Sequence, residues 1–204
     1  MAFSEKLIEI KKQVLTESQP MFERVDAIAE ANTLKVLDAM RECQVGESHF
    51  NTTSGYAYSD VGRIKADELF ARVFGAERAL VRTQFVSGTH TLATVLFGIL
   101  RPGDKLLSIT GAPYDTMQTV IGYASDSKGS LKEFGIKYDE LEMIDGRVDM
   151  AGIAGKLTAD TKMVLIQRSR GYSMREPLSI EDIKSICDEV HRIKPYCVCF
   201  VDNC

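Results

Sequence analysis

The sequence predicts a three-layer α/β/α fold on a mostly parallel sheet, with an N-terminal helical segment ahead of it. Three observations carry that expectation. From residue 79 onward, short apolar runs alternate with helical patterns, as in successive strand–helix–strand units. The last run, residues 196–202, is apolar nearly throughout, as a strand must be when both faces of a parallel sheet are covered. The 204 residues are 45% hydrophobic and 26% charged, an ordinary globular composition with length enough for a substantial core.

The elements follow in order. Ser4 can cap a first helix that carries Leu7, Ile10 and Val14 on one face, and Pro20 is placed to open a second helix running towards Arg41. Residues 44–60 lack periodicity and are rich in Gly, Ser, Thr, Asn and Tyr, so they read as an exposed or ligand-facing loop. Helix returns with Ala66, Leu69, Phe70, Val73 and Phe74 on one face, and Gly75 is placed to end it. Residues 79–86 read as a strand, 89–100 as a buried helix, 101–104 as a turn and 105–109 as a second strand. A helix around 114–121 and strands near 135–138 and 163–167 come next. A helix over 179–193 turns Ile183, Ile186, Val190 and Ile193 inward, and Ser179 with Asp182 forms an acidic capping box. The closing strand ends two residues after Asp202 with no helix to cover it, which suggests a fragment or completion by another chain.

Charge and composition narrow the function. Asp and Glu number 29 against 25 Lys and Arg, a formal net charge of −4 without any like-charged block. This disfavours nucleic acid and anionic membrane surfaces as partners. The N-terminus lacks the apolar core of a secretory signal, and no run approaches the ~20 apolar residues of a membrane span. Five cysteines (Cys43, Cys187, Cys197, Cys199 and Cys204) show no C-x-x-C spacing, so a disulfide framework or structural zinc site is disfavoured and a reducing cytoplasm is expected. Cys197 and Cys199 share one strand face, where packing is the favoured role.

Familiar motifs fail on spacing. Gly152, Gly155 and Lys156 lack the first glycine and the Ser/Thr of a phosphate loop. No G-x-G-x-x-G follows a strand, no G-x-S-x-G accompanies Ser87 and His90, and the three histidines show no metal spacing. A set of strand-end residues remains. Ser87-Gly88-Thr89-His90 opens a helix, where free amides and the helix dipole can hold a phosphate, or where Ser87 is simply a cap. Tyr114 follows the next strand, where its ring could stack on a flat cofactor or lie on the surface. Asp202 closes an apolar strand and needs a cationic or hydrogen-bonding partner, which a protonated pyridine nitrogen or a nearby arginine could each supply.

Together these residues resemble a known arrangement. The chain is similar to fold-type I pyridoxal-phosphate-dependent enzymes, most closely the cystathionine and methionine gamma-lyase group in its aluminium-resistance branch. The resemblance covers residues 30–204 and matches the N-terminal portion of such enzymes. It rests on Gly55-Tyr56-Ala57-Tyr58-Ser59-Asp60-Val61-Gly62-Arg63, Phe85-Val86-Ser87-Gly88-Thr89-His90, Arg101-Pro102-Gly103-Asp104, Pro113-Tyr114-Asp115-Thr116, Gln167-Arg168-Ser169-Arg170-Gly171-Tyr172 and Val201-Asp202-Asn203.

The resemblance implies a pyridoxal-phosphate-transferase-like large domain with pyridoxal 5'-phosphate as cofactor. Gly88 and Thr89 would donate amides to its phosphate with Ser87 beside them, Tyr114 would stack on the ring, and Asp202 would pair with the ring nitrogen. Tyr58, with Tyr56 or Arg63, would reach the phosphate of a neighbouring subunit, implying a homodimer or homotetramer. Residues 1–60 would then be N-terminal helices and a subunit-contact loop, and 61–204 an incomplete cofactor-binding domain. The stretch from Gln167 to Tyr172 departs from the family pattern, in which an Asn touches the cofactor hydroxyl, so Ser169 and Arg170 carry less weight.

The family's Schiff-base lysine lies beyond the residue matching Asp202, whereas every lysine here precedes it. No catalytic residue is therefore expected within these 204 residues, which alone should be inactive. The expected whole is a carbon–sulfur lyase that eliminates a β or γ group from a small sulfur amino acid. The alternatives are a non-catalytic cofactor-binding or assembly subunit, and a cofactor-free α/β domain in which Asp202 pairs with Arg168 or Arg170.

Overall fold

The structure, a computed structural model, describes residues 3–53, 60–123 and 127–203. The chain divides into two compact units, residues 1–83 and 84–204. The boundary expected at residues 60/61 is a functional one, between a subunit-contact segment and a cofactor-binding domain, and it stands as a proposal.

In the first unit, helix α1 (Glu5–Glu42) runs unbroken through Pro20, with Ser4 Oγ accepting from the Leu7 amide at 3.4 Å. This corrects the expectation of two helices. Proline forfeits one intrahelical bond and crowds the carbonyl four residues back, at a cost of about 3 kcal/mol. No glycine or second proline lies between Glu5 and Glu42, however, so helix propagates from both sides into the fault.

Only Ala39 of α1 is buried. A 3₁₀ turn (Glu47–Phe50) lies inside the expected loop, and α2 (Val61–Phe74) follows. The Asp60 carboxylate caps α2 by accepting from the Arg63 amide at 3.1 Å, and Gly75 ends it at φ +63°, the left-handed conformation expected of that glycine.

Residues 79–83 form no strand, contrary to expectation. One of their amides and one of their side chains go to a carboxylate instead of a sheet. The Val81 amide donates to Asp67 Oδ1 at 2.8 Å, and the Arg82 guanidinium grips both Asp67 oxygens at 2.6 and 2.8 Å. That pairing raises the guanidinium's pKa and holds the Asp67 carboxyl below the usual carboxylate range. Residues 84–86 are not a strand either.

The second unit alternates helix and strand: α3 (Gly88–Ile99), β1 (Lys105–Ser108), α4 (Asp115–Ile121), β2 (Lys137–Glu140), β3 (Met143–Ile144), β4 (Arg147–Val148), α5 (Ile153–Lys156), β5 (Thr161–Gln167), α6 (Ile180–Ile193) and β6 (Val198–Asp202). Four of the strands form one all-parallel sheet in the order β2-β1-β5-β6. Alternate residues face opposite sides, as strand geometry requires. Leu106, Met163 and Leu165 pack with Leu96 and Leu100 at the end of α3 and with Met117 and Ile121 of α4. Leu107, Ile109, Val164 and Ile166 pack with Ile153 of α5 and with Ile186 and Val190 of α6. The sheet is the middle of three layers, as expected.

Ser179 and Asp182 form the anticipated capping box, with the two backbone–carboxylate and backbone–hydroxyl bonds at 2.8 and 3.0 Å. The β3–β4 hairpin was not anticipated. It turns through Asp145 at φ +50° and Gly146 at φ +74°, an Asp-Gly pair that suits a two-residue hairpin loop.

Candidate functional site

The strand order places β1 between β2 and β5, so the chain leaves β1 to one side and later returns to the other. Such a reversal opens a crevice beyond the carboxyl ends of the strands, where α/β folds bind ligands. Two bonds shape its floor: Ser108 Oγ donates to the Gly111 carbonyl at 2.6 Å, and the Gln167 amide donates to Thr110 Oγ1 at 3.1 Å. The second joins the ends of β1 and β5 directly.

One cavity of about 520 Å³ is lined by Gly88, Thr89, Leu92, Tyr114, Thr116 and Asp202, among others. Four of the residues expected at the site, Gly88, Thr89, Tyr114 and Asp202, thus meet around a single space, although 114 positions separate the first and last in sequence. Gly88 and Thr89 are the first residues of α3, so their amides have no carbonyl one turn back to bond. Ser87 Oγ accepts from the His90 amide at 3.1 Å, and the Ser87 carbonyl takes the Thr91 amide. A Cβ on Gly88 would meet nothing within 4 Å among the described residues, so the space beside its Cα is open.

Ser87 does not line the cavity, because its hydroxyl caps the helix. Thr89 Oγ1 donates to Thr116 Oγ1 at 3.3 Å, which ties α3 to α4 at the cavity wall. Tyr58 and Tyr56 lie outside the described residues.

Asp202 is 6% exposed at the end of β6, in register with Gln167 of β5, and strand neighbours in register point to the same face. The Arg168 guanidinium, a candidate partner for Asp202, donates to the Leu178 carbonyl at 3.2 Å and to Asn203 Oδ1 at 2.8 Å.

A second cavity, of about 460 Å³, also has Tyr114 in its wall, together with Glu142, Gln167, Arg170, Gly171 and Arg175. The Tyr114 hydroxyl is hydrogen-bonded to Ser169 Oγ. Of these residues, Arg175 carried no signal in the sequence, since an arginine eight residues beyond a strand reads as surface. Gly171 and Ser169 belong to a recognisable motif, but their contact with Tyr114 depends on the loop's path.

Residues 7–204 match the family model described as methionine gamma-lyase. The chain belongs to the methionine gamma-lyase family. A Listeria innocua protein assigned as a cystathionine beta-lyase involved in aluminium resistance has a solved structure that is 46% identical, with TM-score 0.94 over 99% of this chain and 50% of that one. A Clostridium novyi carbon–sulfur lyase involved in aluminium resistance is 43% identical, with TM-score 0.92 over 98% of this chain and 48% of that one. The uncharacterized Bacillus subtilis protein YnbB is 38% identical over all of this chain and 49% of its own.

The chain therefore spans about half the length of these relatives. The pyridoxal-5'-phosphate-dependent Escherichia coli protein YhfS, 15% identical with TM-score 0.60 over 86% of this chain and 44% of its own, shares the α/β fold.

Proposed function

We propose that the cavity between α3, Tyr114 and Asp202 holds pyridoxal 5'-phosphate, and that the whole protein is a carbon–sulfur lyase for a small sulfur amino acid related to cystathionine or methionine. The observation that supports this most is the convergence of two helix-start amides without a hydrogen-bond partner among the described residues, an aromatic ring and a buried carboxylate on one cavity of about 520 Å³. The residues fit the group. Gly88 and Thr89 direct amides, reinforced by the α3 dipole, at a phosphate. Tyr114 offers its ring to the flat face of the pyridine. Asp202, carried on β6 and desolvated by its burial, holds a proton on the ring nitrogen. When bound, the protonated ring supplies an electron sink for a carbanion at the substrate α-carbon.

In this reading the 204-residue chain by itself gives no turnover. Every lysine in it precedes Asp202, and the family resemblance places the covalent lysine after that residue. The protein acts in the cytoplasm as a homodimer or homotetramer. Among the described residues no helix is long and apolar enough to cross a membrane. Assembly draws support from α1, where exposed apolar residues recur every seven positions: Leu7, Val14, Met21 and Ile28, and beside them Ile8, Leu15 and Phe22. A seven-residue apolar repeat matches the seam between two helices.

Titration of the purified chain with pyridoxal 5'-phosphate, followed by absorbance, tests the cofactor. Removing one partner of a buried charge pair costs at least about 2 kcal/mol, so Asp202→Ala should weaken binding roughly 30-fold or more. Equal binding by wild type and Asp202→Ala, or no binding by either, would remove the basis of the assignment.

A further inference from the structure

Arg175 is partly buried beside the end of β5. Its Nη2 donates to the carbonyls of Gln167 and Ser169 at 2.9 and 2.5 Å, and its Nη1 donates to the Glu176 carbonyl at 3.0 Å. Among the described residues its hydrogen bonds go to main-chain oxygens, with no carboxylate among them. A planar fork of fixed donors is well suited to hold several carbonyls at once, which a lysine cannot do with equal geometry. The result is a closed loop, 168–175, stapled back to the end of β5.

Two residues of that loop touch Tyr114. Ser169 Oγ is hydrogen-bonded to the Tyr114 hydroxyl, and the Ser169 carbonyl is held by Arg175 and also by Gln167 Nε2 at 3.2 Å. Gly171, at φ +58°, comes so close that a Cβ there would stand 2.9 Å from Tyr114 Cε1 and 3.4 Å from Gln167 Nε2. The ring is therefore fixed at its hydroxyl by one loop residue and along its edge by another. Tyr114 also forms part of the wall of both cavities, so a swing of the ring would reshape them.

We infer that Arg175 is a positioning residue for Tyr114. By clasping the 168–175 loop through its carbonyls, it holds the ring as the wall of the cofactor cavity and so sets affinity for a planar aromatic ligand there. The ligand part of this inference rests on the cofactor reading above; the effect on the ring does not.

The test has an unliganded arm and a liganded arm. With ring-¹³C tyrosine, the Tyr114 resonance is assigned by its loss in Tyr114→Phe. Arg175→Ala should shift and broaden it while leaving that of Tyr196, 92% exposed, unchanged. Arg175→Lys, which reaches fewer carbonyls, should give a smaller shift and guards against misfolding of the alanine variant. Gly171→Ala should displace the same resonance with the clasp intact.

In titrations with pyridoxal 5'-phosphate, Arg175→Ala should weaken binding about tenfold in the wild-type background and not at all in a Tyr114→Ala background. A Tyr114 resonance unmoved by both Arg175 variants, or equal losses in the two backgrounds, would overturn the inference. Failure of wild type to bind the cofactor would sink the functional reading alone, and the unliganded arm would still decide the role of Arg175.

Discussion

Helix α1 runs 38 residues and buries one of them, Ala39, whereas α6 runs 14 and buries Ile186 and Val190 against Leu107, Ile109, Val164 and Ile166. Both begin at a capping serine and both carry an apolar stripe. The difference is that α6 has a sheet to cover and α1 offers its stripe outward, with Leu7, Val14, Met21 and Ile28 each more than half exposed. Amphipathic spacing states that a helix face wants a partner; it says nothing of where the partner is. Stability of the second unit is accordingly internal, built from two cores on one sheet, while α1 buries only Ala39.

The largest expected effect sets these regions directly against each other. Ile166→Ala or Leu107→Ala opens a cavity in a fully buried site and should cost about 2–5 kcal/mol in denaturant unfolding, whereas Leu15→Ala on α1 should stay within about 0.5 kcal/mol. Comparable losses at Leu15 and Ile166 in the isolated chain would mean that α1 is buried after all.

A second, intermediate effect concerns assembly. If the α1 stripe is the seam between copies, the pair Leu15→Lys and Phe22→Lys should raise the dissociation constant tenfold or more, roughly, by placing cations in an apolar seam. Sedimentation velocity would register a shift towards monomer, and an unchanged profile would assign assembly to another surface.

The smallest effect is a slope against pH, confined to the sheet unit. Burial, with Cys187 beside it, pushes the Cys199 thiol up to about 12. The thiol's ordinary pKa is near 9.0, so between these values the unfolded chain loses its proton while the folded one keeps it. Stability from this group is complete below pH 9 and falls as pH rises towards 12. Thermal melts across that window should decline less steeply for Cys199→Val than for wild type; parallel curves would show that other groups carry the loss.

Much of the fold was legible because its signals are local. Gly75 ends α2 in the left-handed conformation that glycine alone adopts freely, and Ser179 with Asp182 closes the capping box three residues apart. The apolar runs at Lys105–Ser108, Thr161–Gln167 and Val198–Asp202 became strands of one parallel sheet. The Asp145-Gly146 hairpin was equally local, and its signal was present but passed over between strands of only two residues. Residues 79–83 had the composition of a strand but not its fate. Whether an extended segment joins a ladder depends on an edge being available, and here the Asp67 carboxylate holds the Val81 amide.

The site divides the same way. Gly88 and Thr89 stood out as the start of a helix, and Tyr114 and Asp202 because each follows or ends a strand, and strand ends are where a sheet of this kind exposes its binding crevice. Arg175 did not stand out, and although Gln167 and Gly171 lie in a motif that did, their relation to Tyr114 exists only after the loop from β5 has folded back.

From its residues alone, this protein declared its layers, its caps and the strand-end positions that could meet a ligand. Periodicity and capping act within a few residues of chain, where composition decides the outcome. Tertiary structure alone decided that those positions share one cavity, and that a guanidinium eight residues past a strand braces the Tyr114 wall. Those outcomes depend on distances between groups far apart in sequence, which exist only once the sheet has set its order and its loops have closed.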